Sequence, residues 1–145
     1  MNAISYQWKL NNLHRSRTKT VDTYRHLQGN ARKEKKSRDD IEGLMHEEMF
    51  EVNMIDDAIQ ELESCYLIES ARQLILPVPE FKKDSDTWEE SNLTGQFSLS
   101  KKAMMELRTI VRKEQKGRRE GMMLWLTALT GIIGALSGLI AVWKS

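Results

Sequence analysis

The sequence predicts an all-α protein: a cytoplasmic helical hairpin or coiled coil, then one long C-terminal helix ending in a single transmembrane span. Three observations predict it. Residues 122–143 form a run of 22 residues with no charged side chain. Upstream, apolar residues recur at spacings of three and four, the period of a helix face. The two prolines, Pro77 and Pro79, fall close together, so long stretches on either side are free of the residue that most strongly breaks helices.

The first helix is expected over residues 3–28, with Tyr6, Leu10, Leu13, Tyr24 and Leu27 on its apolar side. Gly29-Asn30 should stop it, since both residues tolerate the left-handed backbone that closes a helix. The basic stretch ARKEKK reads as a solvated connection. Ser37 followed three residues later by Asp40 is a capping-box pattern and opens the second helix. Met45, Val52, Ile55, Ile59, Leu62 and Tyr66 then form a seam, expected to bury against a partner helix in a hairpin or a coiled coil.

Pro77-Val78-Pro79 should end that helix, so residues 1–76 read as the hairpin or coiled coil and 77–98 as a linker or irregular motif. Within the latter, Phe81, Trp88 and Phe97 are too apolar for a disordered tether, and a short hairpin fits around Thr94-Gly95. Ser98 or Ser100 caps a third, basic helix over 99–121, whose apolar positions are Ala103, Leu107, Ile110 and Val111. Gly117 and Gly121 each cost about 1 kcal/mol against Ala, enough for a soft joint without a break. The third helix should therefore run on into the transmembrane helix, 122–143.

At 1.5 Å per residue the terminal run is about 33 Å long, against roughly 30 Å of hydrocarbon. Its five Leu, three Ile and one Val total about −4 kcal/mol on an insertion scale. Trp125 and Trp143 are eighteen residues apart, five turns, which places them on one side at about the spacing of the two membrane interfaces. Arg112, Lys113, Lys116, Arg118 and Arg119 crowd the near end, while Lys144 alone follows the far end. By the positive-inside rule the N-terminal part is cytoplasmic, as in a tail-anchored single-pass protein of the inner membrane. Thr127, Gly131, Gly134, Gly138 and Ala141 fall within an arc of about 80°. They include a GxxxG match, a face on which two membrane helices can approach closely.

The net charge of +1 hides blocks: residues 1–38 carry ten Lys/Arg against two acids, and residues 39–71 carry eleven acids with no Lys or Arg. A hairpin would set these two blocks against each other. The basic residues Lys9, Arg15, Arg17, Lys19 and Arg25, interleaved with Trp8 and Tyr24, leave three uses open: internal or partner pairing, anionic lipid, and nucleic acid. The juxtamembrane cations point to lipid head groups as well as to topology. Cys65 excludes an internal disulfide, and its acidic neighbours disfavour a thiolate, so it reads as a small apolar residue.

No phosphate-binding Gly loop, nucleophile elbow or zinc spacing occurs. Glu42 and His46 could share a ligand at i, i+4, but a metal pair needs further ligands, and a solvated face explains them. The chain does not read as an enzyme, and no cofactor or metal is expected.

Leu99, Ser100, Ala103, Leu107, Arg108, Arg112, Lys113 and Glu114, followed by Gly131, Gly134 and Gly138, resemble a pattern in small bacterial membrane proteins of unassigned function. Arg72, Pro77, Pro79 and Trp88 fit the segment that precedes it in those proteins. The likeness spans roughly residues 60–143 and implies origin and topology, not activity. The expected role is a helical scaffold that binds a helical protein partner or self-assembles at the bilayer. A membrane-perturbing effector of holin or toxin type is the alternative, and a membrane-tethered nucleic-acid binder acting through residues 1–38 the third.

Overall fold

A computed structural model describes residues 2–83 and 85–143, with side chains as far as 132. These residues form α1 (Ala3–Lys33), α2 (Arg38–Gln73), β1 (Trp88–Glu90), β2 (Phe97–Leu99) and α3 (Lys101–Trp143). The protein is mostly helical, in agreement with the expected all-α class.

α1 starts at Asn2, whose side chain accepts a hydrogen bond from the Ser5 amide at 2.7 Å. It does not stop at Gly29-Asn30. The helix continues through both and carries Ala31 into a buried position, in register with Tyr24 and Gln28 on the side that meets α2. Tertiary packing one turn further on outweighs the roughly 1 kcal/mol helix cost of a glycine. The true stop is a left-handed Lys35 (φ +53°). Its N–H donates to Arg32 O, and the Lys36 N–H donates to Ala31 O at 3.0 Å. This bond pair is a Schellman closure.

α2 opens with the expected capping box: the Asp40 amide donates to Ser37 Oγ and the Ser37 amide donates to the Asp40 carboxylate, both at 3.2 Å. It ends at Gln73, earlier than the prolines require, in a second closure of the same kind. Here Ile75 takes the left-handed backbone (φ +61°), and the Leu76 N–H donates to Ala71 O at 2.9 Å. The early stop lets Leu74, Leu76 and Val78 turn back and pack on the core.

α1 and α2 lie antiparallel. Tyr6 stacks on Tyr66 with ring centroids 3.8 Å apart. Further along, Arg17 meets Asp56, Tyr24 meets Glu51, and Gln28 meets Glu48, so partners on α2 fall in number as those on α1 rise. The seam is thus satisfied within the chain as a hairpin. Val52, Ile55, Ile59, Leu62 and Tyr66 are half-buried, whereas Met45, assigned to the same seam, is exposed near the turn.

The segment after α2 runs back along it and forms the short hairpin expected around Thr94-Gly95. β1 and β2 pair antiparallel, Trp88 opposite Leu99 and Glu90 opposite Phe97, with Gly95 at φ +67° in the connecting loop. The Trp88 indole donates to Glu80 O at 2.9 Å, and Phe81 packs edge-on against both Trp88 and Phe97.

The densest core lies elsewhere than the sequence-derived seam. It joins Leu67 and Ala71 of α2, Leu99 of β2, and Ala103, Met104, Leu107 and Val111 of α3. Residues 99–121, expected as a basic juxtamembrane helix, therefore supply five of these seven core residues. Ser100 is the cap, with its Oγ accepting from the Ala103 amide at 3.3 Å. α3 runs parallel to α2: Ser64 lies by Met104, Glu63 by Arg108 and Leu74 by Arg118. Past Arg118 it leaves the other elements behind, and its described side chains from Arg119 to Ile132 are exposed. Gly117 and Gly121 do not interrupt the helix.

Candidate interaction surfaces

The acidic block of α2 is largely occupied by structural work. Arg17 binds Asp56 through both Nε (2.6 Å) and Nη2 (3.1 Å), and this hydrogen-bonded pairing raises the guanidinium pKa further. Tyr24 donates to Glu51 at 3.0 Å, and Gln28 donates to Glu48 at 2.7 Å. Arg108 reaches Glu63 from α3 at 3.3 Å. Ser91, in the hairpin loop, donates to Asp57. Gln60 Nε2 donates to Glu89 at 3.0 Å and to Leu99 O at 3.3 Å, so the polar side of α2 pins both strands. The sequence showed this block as a charge run; nothing in its periodicity separated the carboxylates that tether a neighbour from those that meet water.

At the centre of these tethers is Ser64, 2% exposed. Its Oγ accepts the Leu99 amide at 3.0 Å and lies 3.5 Å from Met104 Sδ. Sequence reasoning missed it, because a serine in a polar helix carries no outward signal of burial. Burial, then the Glu63 carboxylate, raises the Tyr6 hydroxyl pKa; burial, then Glu51, raises that of Tyr24. Cys65 is exposed instead of packed in the core, and its thiol pKa is raised by partial burial first and by Glu61 and Glu69 next.

The basic N-terminal block does not form one outward face. Arg17 and Tyr24 turn toward α2, Arg25 pairs along its own helix with Asp22 at 3.4 Å, and Trp8, two-thirds exposed, lines a groove with Leu62 and Cys65 of α2. Glu42 is engaged by Arg38 at 2.8 Å. Among the described residues no group of His, Cys, Asp and Glu is placed to hold a metal ion.

Among the described residues, two groups of exposed apolar side chains stand out. Near the hairpin turn, Met45, Met49, Phe50 and Met54 of α2 are exposed large apolar side chains. Helical projection sets Met45 and Met49 in line with Gln60, Glu63 and Leu67, the side that α3 covers one half-helix further on. α3 begins too late to cover the first half.

The other surface is the end where α3 leaves the head. Arg118 Nη2 donates to Leu74 O at 3.0 Å and its Nε to Glu114 at 2.9 Å. Lys116 pairs with Glu120 at 3.7 Å, while Arg112, Lys113 and Arg119 are exposed on the same stretch of helix. Beyond them Met122, Met123, Leu124, Trp125, Leu126, Leu129 and Ile132 stand exposed. Thr127 and Thr130 return their hydroxyls to Met123 O and Leu126 O, and a Cβ on Gly131 would meet nothing within 4 Å. Among the described residues no helix is long and apolar enough to cross a membrane. Gly134, Gly138 and Ala141 of the expected packing face, and the expected anchor Trp143, lie outside the residues whose side chains are described.

The fold and its surfaces define a three-helix head with a β-hairpin clasp and an emergent apolar helix. No family model, curated protein or solved structure matches the chain.

Proposed function

We propose that the chain is held in a bacterial inner membrane by the apolar run of α3, and that its cytoplasmic head binds a helical partner and self-associates. One observation carries the reading: α3 is a single helix that holds the core through Leu107 and Val111 and continues into the 22-residue uncharged run. A run of that length and composition favours hydrocarbon over water by several kcal/mol. The cations from Arg112 to Arg119 support a cytoplasmic head.

The α2 seam is occupied by α1, so partner binding falls to Met45, Met49, Phe50 and Met54. Methionine side chains adapt to varied apolar partners. Residues 39–61 hold nine acids and no Lys or Arg, which selects a cationic amphipathic helix. Self-association belongs to the Thr127, Gly131, Gly134, Gly138 and Ala141 face, where small side chains allow close backbone approach.

Carbonate washing of native membranes followed by protease treatment of inverted vesicles tests the reading. The intact chain should stay in the pellet, with the head digested from the cytoplasmic side. Release into the supernatant would overturn it.

A further inference from the structure

The geometry points to a second membrane contact: the base of the head rests on an anionic lipid surface through Ile4 and Ile75, held there by the surrounding cations. This rests on the anchored reading above and adds a contact to it.

Ile75 is 89% exposed and Ile4 83% exposed, the two most exposed large apolar side chains among the described residues. Ile75 is also β-branched at φ +61°, a backbone region where such residues are rare and strained. Its place in the Schellman closure would suit glycine, so folding alone gives no reason for an isoleucine there. Lipid contact does.

Both residues sit at the end of the head from which α3 departs. Arg118 bonds to Leu74 O, directly beside Ile75. Asn2 and Ala3, at the start of α1, line one shallow depression with Leu74 of α2 and Gln115 of α3. Arg118 is four residues before Met122, or about 6 Å along the helix, and Gln115 about 10 Å. If Met122 begins the hydrocarbon-facing run, Ile75 and Ile4 reach the interfacial layer. Arg72, whose carbonyl closes the turn at Ile75, and Arg118 stand beside it, and α3 adds Arg112, Lys113, Lys116 and Arg119 over residues 112–119, against Glu114 and Glu120 there and Glu69 on α2. That excess of positive charge matches an anionic leaflet and not a zwitterionic one.

Full-length protein carrying Cys65→Ser and one new cysteine, Ile4→Cys, Ile75→Cys or Leu129→Cys, would be labelled with an environment-sensitive fluorophore. It would then be reconstituted in phosphatidylcholine vesicles with and without phosphatidylserine. Labels at 4 and 75 should shift to the blue and lose iodide quenching severalfold when phosphatidylserine is present, while the label at 129 is shielded in both. Ile75→Gly, which suits the left-handed backbone, should restore quenching of the label at 4. Water-exposed labels at 4 and 75 beside a shielded 129 would overturn the contact and leave the anchor standing. Exposure at 129 as well would overturn the anchor itself. Equal shielding without phosphatidylserine would overturn the role of the cations.

Discussion

Replacing Ser64 by alanine removes one oxygen and should cost far more than its size suggests. The Ser64 hydroxyl accepts the amide of Leu99, and both residues are almost fully enclosed, at 2% and 0% exposure. The Leu99 N–H points to α2 and away from its strand partner, so alanine leaves a buried donor with no acceptor. Such a group costs about 1–3 kcal/mol. Against this, alanine is the better helix former by at most about 0.7 kcal/mol, and loss of the weak contact to Met104 Sδ adds little. The net expectation is destabilisation by about 1–2 kcal/mol. Guanidinium unfolding of the detergent-solubilised full chain, followed by far-ultraviolet circular dichroism, measures it. Ser16→Ala on the exposed side of α1 is the comparison and should be neutral or slightly stabilising. Amide exchange over residues 97–100 should also quicken in Ser64→Ala. Equal midpoints for the two variants would refute the assignment of Ser64 as the acceptor that clasps the hairpin to α2.

Other outcomes follow from the same contacts. Arg17→Met should lower the unfolding midpoint only slightly in the same assay, less than Ser64→Ala does, because Arg17 and Asp56 are 42% and 44% exposed and water screens the pair; a drop larger than that of Ser64→Ala would mean the pair is dry. The Tyr6 and Tyr24 hydroxyls titrate above their ordinary value of 10.0 in the folded chain. Above that pH the unfolded chain releases protons that the folded chain keeps, so their contribution is complete below pH 10 and lost as pH rises. Tyr24→Phe should flatten the alkaline fall of the unfolding midpoint, and an unchanged slope would count against the Glu51 contact. Alkylation of Cys65 by iodoacetamide at pH 8 should be slower in the folded chain than in urea, since burial, Glu61 and Glu69 all disfavour the thiolate. Met45→Lys with Met49→Lys, which removes the apolar contact and repels a cationic partner, should abolish binding of a synthetic Lys/Leu amphipathic helix to the head without moving the unfolding midpoint; retained binding would place the partner surface elsewhere.

The helices, the Ser37 capping box and the turn at Gly95 were legible in the sequence because each depends on local pattern: a repeat of three and four, a pair of residues three apart, a glycine where φ is positive. The uncharged terminal run was legible for the same reason. Helix ends were not. Gly29 failed to stop α1 and Pro77 was not what stopped α2, because packing at Ala31 and at Leu74 and Leu76 decides where the chain can leave the helix. The largest correction concerns the core. A seam on α2 announced a neighbour, and α1 filled it; but no periodicity in α2 announced that its other side at Ser64, Leu67 and Ala71 would be closed by β2 and α3.

What the sequence settled alone was therefore one-dimensional: which segments are helical, where charge of each sign is concentrated, and which stretch carries no charge at all. The tertiary structure decided which carboxylates serve as tethers, that the start of α3 belongs to the core, and that Met45 and Ile75 face outward. The physical reason is that burial and pairing depend on neighbours brought from twenty or more residues away. Free energy at a position such as Ser64 is set by what meets it in space, not by what flanks it in the chain.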